Sequence, residues 1–300
     1  MPDKVITLVC QNSGERLDKF LAASLPELSR SQAQHLIQSG RVQAAGRRLK
    51  ANTRLPAGTS LTIILPPSES SPLEAQAIPL DIIFEDEHLI AINKPAGLVV
   101  HPGAGRTQNT LVNALINRYP EIIELDPKRP GIVHRLDKGT SGVIIVARST
   151  LALQNLQKQF KARQVEKIYH ALVHGHPQAP VGLIDVPIGR HPQHRQKMAP
   201  LPDGKPARTS YKVLETFTNF SLLELRPETG RMHQIRVHLA WLGHPVAGDT
   251  IYGRRKKNHL FSRPFLHASQ LSLHHPLTNH PLTFAALLPH DLQTILENLS

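Results

Sequence analysis

Apolar positions recur at two periods along the chain, and one polar stretch divides them. Leu17, Phe20 and Leu21 share the i, i+3, i+4 face of a helix over 16–24. Residues 31–39 predict a second helix, with Ser29 or Ser31 able to cap its start and Gly40 to stop it. Arg41 and Val42 lead into a turn at Gly46, and 61–65 reads as a closing strand. Residues 66–76, PPSESSPLEAQ, then break the pattern and read as an exposed linker. The expected division is a small domain over 1–65, the linker over 66–76 and a larger domain over 77–300.

Beyond the linker, strands are expected at 80–84 and 89–92, and a helix over 110–119 with Leu111, Leu115 and Arg118 at helical spacing. GVIIVA at 142–147 reads as a buried strand, and Thr150 as the cap of a helix carrying Leu153, Leu156 and Phe160. Strands follow at 169–173 and 221–225, then a helix over 235–242 ended by Gly243. Strands and helices mix without regular βαβ repeats, so the expected class is α+β.

Composition adds a partner. With 40% hydrophobic residues the chain can bury a real core, and 35 Lys+Arg against 23 Asp+Glu leave a net charge of +12. Such an excess attracts polyanions, nucleic acid first. The charge also clusters. Arg30, Arg41, Arg47, Arg48, Lys50 and Arg54 fall in a window without an acidic residue. Beside a helix start and a turn, this makes a phosphate-binding surface or a solvated basic face. RHPQHRQKMAPLPDGKPAR at 190–208 reads as an extended basic loop that could lie along RNA. The single cysteine, Cys10, permits no intrachain disulfide and no cysteine-based zinc site. No secretory leader is expected from MPDKVITLV, and apolar runs such as 143–147 are too short to cross a bilayer. A cytoplasmic protein without membrane partners is the expectation.

The chemistry concentrates in GIVHRLDKGTSGVIIVAR at 131–148, where a polar turn sits between strand-like flanks. Two strands could hold the backbone of Asp137 rigid while its side chain enters a cleft. Taken alone, an aspartate before Lys-Gly is an ordinary turn residue.

The whole segment says more. HRLD followed by TSG resembles the signature of the RluA-type pseudouridine synthases. EKIYHALVHG at 166–175, TGRMHQIRVHL at 229–239, GHPVAGDTIYG at 243–253, RPFLHASQLSLHHP at 263–276 and INKPAGLVVHPG at 92–103 resemble further blocks of that family. RLDKFLA at 16–22 and SRSQAQHLIQSGRV at 29–42 resemble the small RNA-binding domain named after a small-subunit ribosomal protein. The arrangement looks closest to the RluD-like branch that acts on large-subunit ribosomal RNA.

The resemblance implies a small α/β RNA-binding domain followed by a catalytic domain with a mixed, largely antiparallel sheet. It implies Asp137 as catalytic nucleophile, Arg236 as its charged partner, and Tyr169 as a ring that stacks on a flipped base and offers a hydroxyl for proton transfer. Arg135, Lys167, Arg231 and His233 are implied to hold substrate RNA, with Arg30, Arg41, Arg47 and Arg48 of the first domain. The target uridine must leave its stack, at a cost of a few kcal/mol. Attack on the anomeric carbon, attack on carbon 6 of the base, and a glycal intermediate all stay open. An isomerisation needs no cofactor, and a monomer acting on RNA, most simply ribosomal, is expected.

Three rivals fit less well. The histidines of HGH at 174–176 and HPQH at 191–194 lack carboxylates at ligand spacing, so no metal is expected. A glycosidase needs two flanking carboxylates, and the motif offers one. A catalytically silent RNA-binding or ribosome-assembly factor has no need of Asp137, Tyr169 and Arg236 together. The same chemistry on transfer RNA is the closer alternative.

Overall fold

The computed structural model describes residues 4–11, 13–25, 28, 30–65, 73–102, 108–126, 129–194, 197–253 and 260–299, with residues 4 and 30–32 described by their backbone alone. Contacts divide the chain into two units, Met1–Ser71 and Pro72–Ser300. Residues 66–72 of the expected linker, and Ser29 as a helix cap, lie outside the described residues.

The first unit is built from β1 (Lys4–Val9), α1 (Leu17–Ser24), α2 (Arg30–Gln38), β2 (Val42–Ala44), β3 (Arg47–Arg48) and β4 (Ser60–Leu65). Its strands form an antiparallel sheet in the order β1-β4-β2-β3. Leu17 and Leu21 of α1, Leu36 and Ile37 of α2, and Leu61 and Ile63 of β4 close one core. Asp18 is fully buried at the base of α1. Arg16 grips it through two bonds of 3.0 and 3.1 Å, and Gln34 Nε2 donates at 2.7 Å. Ala45 and Gly46 join β2 to β3, both in the left-handed region at φ 47° and 75°. That is the geometry of a tight hairpin turn, and alanine tolerates it poorly.

The second unit contains β5 (Ile82–Glu85), β6 (Leu89–Lys94), α3 (Leu111–Arg118), a 3₁₀ turn over Pro120–Glu124, β7 (Ser141–Ala147) and α4 (Thr150–Lys161). Then come β8 (Glu166–His174), β9 (Val181–Asp185), β10 (Ile188–Arg190), β11 (Met198–Pro200), β12 (Arg208–Thr216) and β13 (Phe220–Pro227). The chain ends with α5 (Gln234–Trp241), β14 (Leu266–His274), β15 (Pro281–Ala285) and α6 (His290–Glu297). Nine strands make one sheet, ordered β5-β6-β7-β14-β8-β13-β12-β9, with β15 beside β14. The β7–β14 pair is parallel and every other pair is antiparallel.

Helices cover both faces, which explains why β7 is buried throughout and apolar from residue 142 onward. Val143 and Ile145 face the cluster that holds Leu153 and Leu156 of α4. Ile144 and Val146 face the cluster that holds Leu111 and Leu115 of α3. On β8, Ala171 and Val173 pack with Ile235 and Leu239 of α5, while Leu172 packs with Leu292 and Ile295 of α6. Tyr169 touches both the α3 and the α5 clusters, so it stands at the middle of one face.

Two expectations are corrected. Ser149, not Thr150, caps α4, and its hydroxyl accepts from the Ala152 N–H at 3.2 Å. Part of 190–208 is not a loop. Residues 188–190 and 198–200 pair as the β10–β11 hairpin. Among the described residues, no helix is long and apolar enough to cross a membrane.

Candidate active site

Asp137 sits in the turn that feeds β7, and its neighbours fix it from several sides. His134 stacks on Phe160 with ring centres 4.7 Å apart, and its Nε2 accepts the Ile145 N–H at 2.8 Å. Burial pushes the His134 imidazole down to about 3, so it stays neutral and keeps Nε2 as an acceptor. Leu136 is buried in the α3 cluster. Thr140 N–H closes the turn on the Asp137 carbonyl at 3.0 Å. Gly142 then lets β7 run tight against β14, because a Cβ there would meet the Ala268 carbonyl oxygen at 2.1 Å. The result is an exposed Arg135 and a half-buried Asp137 on an anchored backbone.

A second strut comes from Lys94, which is fully buried at the end of β6. Its Nζ donates to the carbonyls of Pro95 and Leu98 at 2.8 and 2.9 Å. The turn it shapes places Gly97 N–H on the Lys138 carbonyl at 2.7 Å, one residue from Asp137. Burial, aided by the charge of Arg263, lowers Lys94 to about 8 against the pull of Asp137.

The opposing wall is the turn before α5. Thr229 donates to Gln234 Oε1 at 2.7 Å, and the Arg231 N–H reaches the same oxygen at 3.0 Å. Gln234 Nε2 donates to the Arg208 carbonyl and to Thr209 Oγ1, both at 2.9 Å, and so fastens the turn to β12. His238, one turn on, joins Thr209 Oγ1 and the Val186 carbonyl at 2.9 and 3.0 Å. His233 starts the helix in the left-handed region, at φ 57°.

These struts bring Arg236 to Asp137. Arg236 Nη1 donates to Asp137 Oδ2 at 3.1 Å. Its Nε and Nη2 fork onto Asp249 at 2.7 and 2.8 Å. Asp249 also accepts the N–H groups of Ile251 and Tyr252, at 2.9 and 3.1 Å. Burial opposes the charge of Arg236, yet its bonds to Asp249 and Asp137 outweigh it and raise its pKa. Burial likewise opposes the charge of Asp249, and Arg236 with the two N–H groups holds it below the usual carboxylate range. The Tyr252 ring lies under the guanidinium at 5.1 Å, and its hydroxyl meets His233 Nδ1 at 2.8 Å. His233 Nε2 comes within 3.9 Å of Asp137 Oδ2, and burial lowers the pKa of that ring.

Asp137, Tyr169, Arg236, Arg135, Arg231 and His233 all line one open cleft of about 120 Å³. Burial, and then the Asp137 charge, push the Tyr169 phenol up, so it is a neutral hydroxyl at pH 7. Lys167 does not line this cleft. It is half-buried near His134, and burial lowers it to about 8. In the first unit Arg47 and Arg48 are exposed, Arg41 is half-buried, and the Arg30 side chain lies outside the described residues. Asp249, Tyr252 and Lys94 had no expected role, although each lies in a block singled out above. Among the described residues no three metal-ligating side chains cluster.

The sequence matches the RNA pseudouridylate synthase family over residues 88–241 and the S4 domain over 15–61. It is 48% identical to an uncharacterized RNA pseudouridine synthase of Chloroflexus aurantiacus, over 99% of this chain and 94% of that one. It is 45% identical to the ribosomal large subunit pseudouridine synthase D of Nitrosomonas europaea, over 95% and 84%. The chain belongs to the RNA pseudouridine synthases. The human RNA pseudouridylate synthase domain containing 1 shares the fold, with a TM-score of 0.61, 29% identity and coverage of 74% of this chain and 89% of that one. As an enzyme of this family it is an isomerase, and its α+β sheet with an S4 domain in front agrees with that class.

Proposed function

We propose that this isomerase converts specific uridines of large-subunit ribosomal RNA to pseudouridine, with Asp137 as nucleophile acting on a base flipped into the cleft. The observation that carries the reading is the bond from Arg236 to Asp137 Oδ2 in a cleft shared with Tyr169. Arg236 occupies Oδ2. Among the described residues Oδ1 carries no hydrogen bond, which leaves it for the substrate. A carboxylate aimed by a guanidinium needs little reorganisation at the moment of attack.

The reaction balances within the RNA. The bond from C1′ to N1 breaks, the uracil turns, and a bond from C1′ to C5 forms. C5 loses its proton and N1 gains one. Asp137 Oδ1 acts at C1′, at C6 or on the C2′ hydrogen of a glycal path. Tyr169 offers its ring to the base. Its raised pKa favours stacking and hydrogen-bond donation over proton abstraction. Arg135 and Arg231, at the cleft, supply charge for the phosphates beside the flipped nucleotide. In the first unit the exposed Arg47 and Arg48, with Arg30 and Arg41, hold phosphates of the same RNA. Cytoplasmic action as a monomer completes the reading.

Ribosomal RNA is favoured because relatives named large subunit pseudouridine synthase D reach 41–45% identity over 95–100% of the chain. Pseudouridine sequencing of total RNA, with and without the gene, tests it. Loss of one or a few sites in large-subunit RNA is expected. Loss confined to transfer RNA would overturn the ribosomal assignment.

A further inference from the structure

A second groove lies on the other side of Tyr252, between the β10–β11 hairpin and α5. It measures about 420 Å³. Its floor includes Val237, which is almost fully buried, and its wall includes Trp241, which is 54% exposed. Trp241 is the one aromatic ring among the strongly exposed large apolar side chains of the described residues. The rim is cationic or donating. Lys197 is held over the groove by a 3.0 Å bond from Nζ to the Ile251 carbonyl, which leaves two of its donors unused among the described residues. The Nδ1 of His191 takes the backbone N–H groups of Gln193 and His194 at 3.2 Å, so its ring proton sits on Nε2.

Tyr252, which lines the groove, touches His233 and Arg236, which line the Asp137 cleft. The Tyr252 hydroxyl accepts the Met198 N–H of β11 at 2.8 Å and meets His233 on the other side, also at 2.8 Å. The two recesses therefore lie side by side along α5, Arg236 lining one and Val237, Ala240 and Trp241 the other. An exposed flat ring beside cationic donors is the chemistry that single-stranded nucleic acid uses: bases stack and phosphates pair.

We propose that this groove binds a second nucleobase of the RNA strand, next to the nucleotide held at Asp137, by stacking it on Trp241. The inference rests on the reading of RNA as the strand in the Asp137 cleft, and it adds a site that holds the strand beside the target.

Trp241 is the only tryptophan of the chain, so intrinsic fluorescence reports this groove alone. The full chain is titrated with a short oligouridylate and with a base-free ribose-phosphate oligomer of equal length and charge. The oligouridylate is expected to quench the signal and the base-free oligomer to leave it unchanged. Trp241→Ala is expected to raise KM for ribosomal RNA about tenfold, and Trp241→Phe to restore most of that loss. Equal quenching by both oligomers, or a wild-type KM in Trp241→Ala, would overturn the groove. Pseudouridine formation without any quenching sinks the groove and spares the proposed function. Quenching that depends on bases, in a protein that makes no pseudouridine, supports the groove and sinks the proposed function.

Discussion

The first unit and the cleft use arginine in opposite ways. Arg47 and Arg48 stand in water on a two-residue strand. Arg236 is 6% exposed and spends three nitrogens on two carboxylates. An exposed guanidinium attracts any phosphate, reaches about 10 Å at moderate salt, and is screened by more. A buried one costs several kcal/mol to desolvate and is tolerated only where its bonds are complete. On the proposed reading the first kind gathers RNA without choosing atoms, and the second fixes one oxygen of Asp137 and leaves the other to react. Affinity and chemistry would then rest on separate groups that respond differently to salt, pH and substitution.

That separation can be broken from the cleft side first. Arg236→Lys cannot fork onto Asp249 while reaching Asp137, and a fall in kcat of roughly 10³-fold is expected, with RNA affinity little changed. Single-turnover conversion and filter binding read the two effects separately. Next in size, Asp249→Ala leaves two nitrogens of the buried Arg236 without their carboxylate and should cost about 3 kcal/mol in denaturant unfolding. The Asp249 carboxyl titrates lower folded than unfolded, so its contribution is complete above about pH 4. It is lost as the pH falls through the folded value, so the gap between variant and wild type should close in acid.

The first unit should answer in a different currency. Removing both exposed arginines, Arg47→Ala with Arg48→Ala, is expected to flatten the dependence of log affinity on log salt by about one unit per lost phosphate contact. Conversion at saturating RNA should hold. The smallest effect is local. Ala45→Gly relieves the left-handed strain in the β2–β3 turn and should slow amide exchange in that hairpin by the equivalent of roughly 0.5–1 kcal/mol.

What the sequence disclosed follows the same division. β7 was legible because burial on both faces leaves an unbroken apolar run, and Asp137 because its turn resembles a specific motif. The first helix of the first unit announced itself through Leu17, Phe20 and Leu21, and the second through a serine at its start and Gly40 at its end. The β10–β11 hairpin did not, since three-residue strands held by backbone bonds need no apolar alternation. Its Pro and His content reads as loop. Ser149 and Thr150 are both competent caps, and sequence could not choose between neighbours. Asp249 stood in a noted block, but its bond to Arg236 spans 13 residues and exists only after the fold closes. Lys167 shares strand parity with Tyr169, yet it lies beside His134 and does not line the cleft. The Arg236 partner of Asp137 came with the resemblance, whereas the Asp249 support behind Arg236 did not.

The claim beneath all of this is that one carboxylate oxygen, freed by a buried arginine, rearranges the uridine. Asp137→Asn keeps the shape and the bond to Arg236 but removes the nucleophile. Conversion of 5-tritiated ribosomal RNA in a single turnover, read as tritium released to water, should vanish in this variant while RNA affinity stays within about twofold of wild type. Release at anything near the wild-type rate would contradict the account.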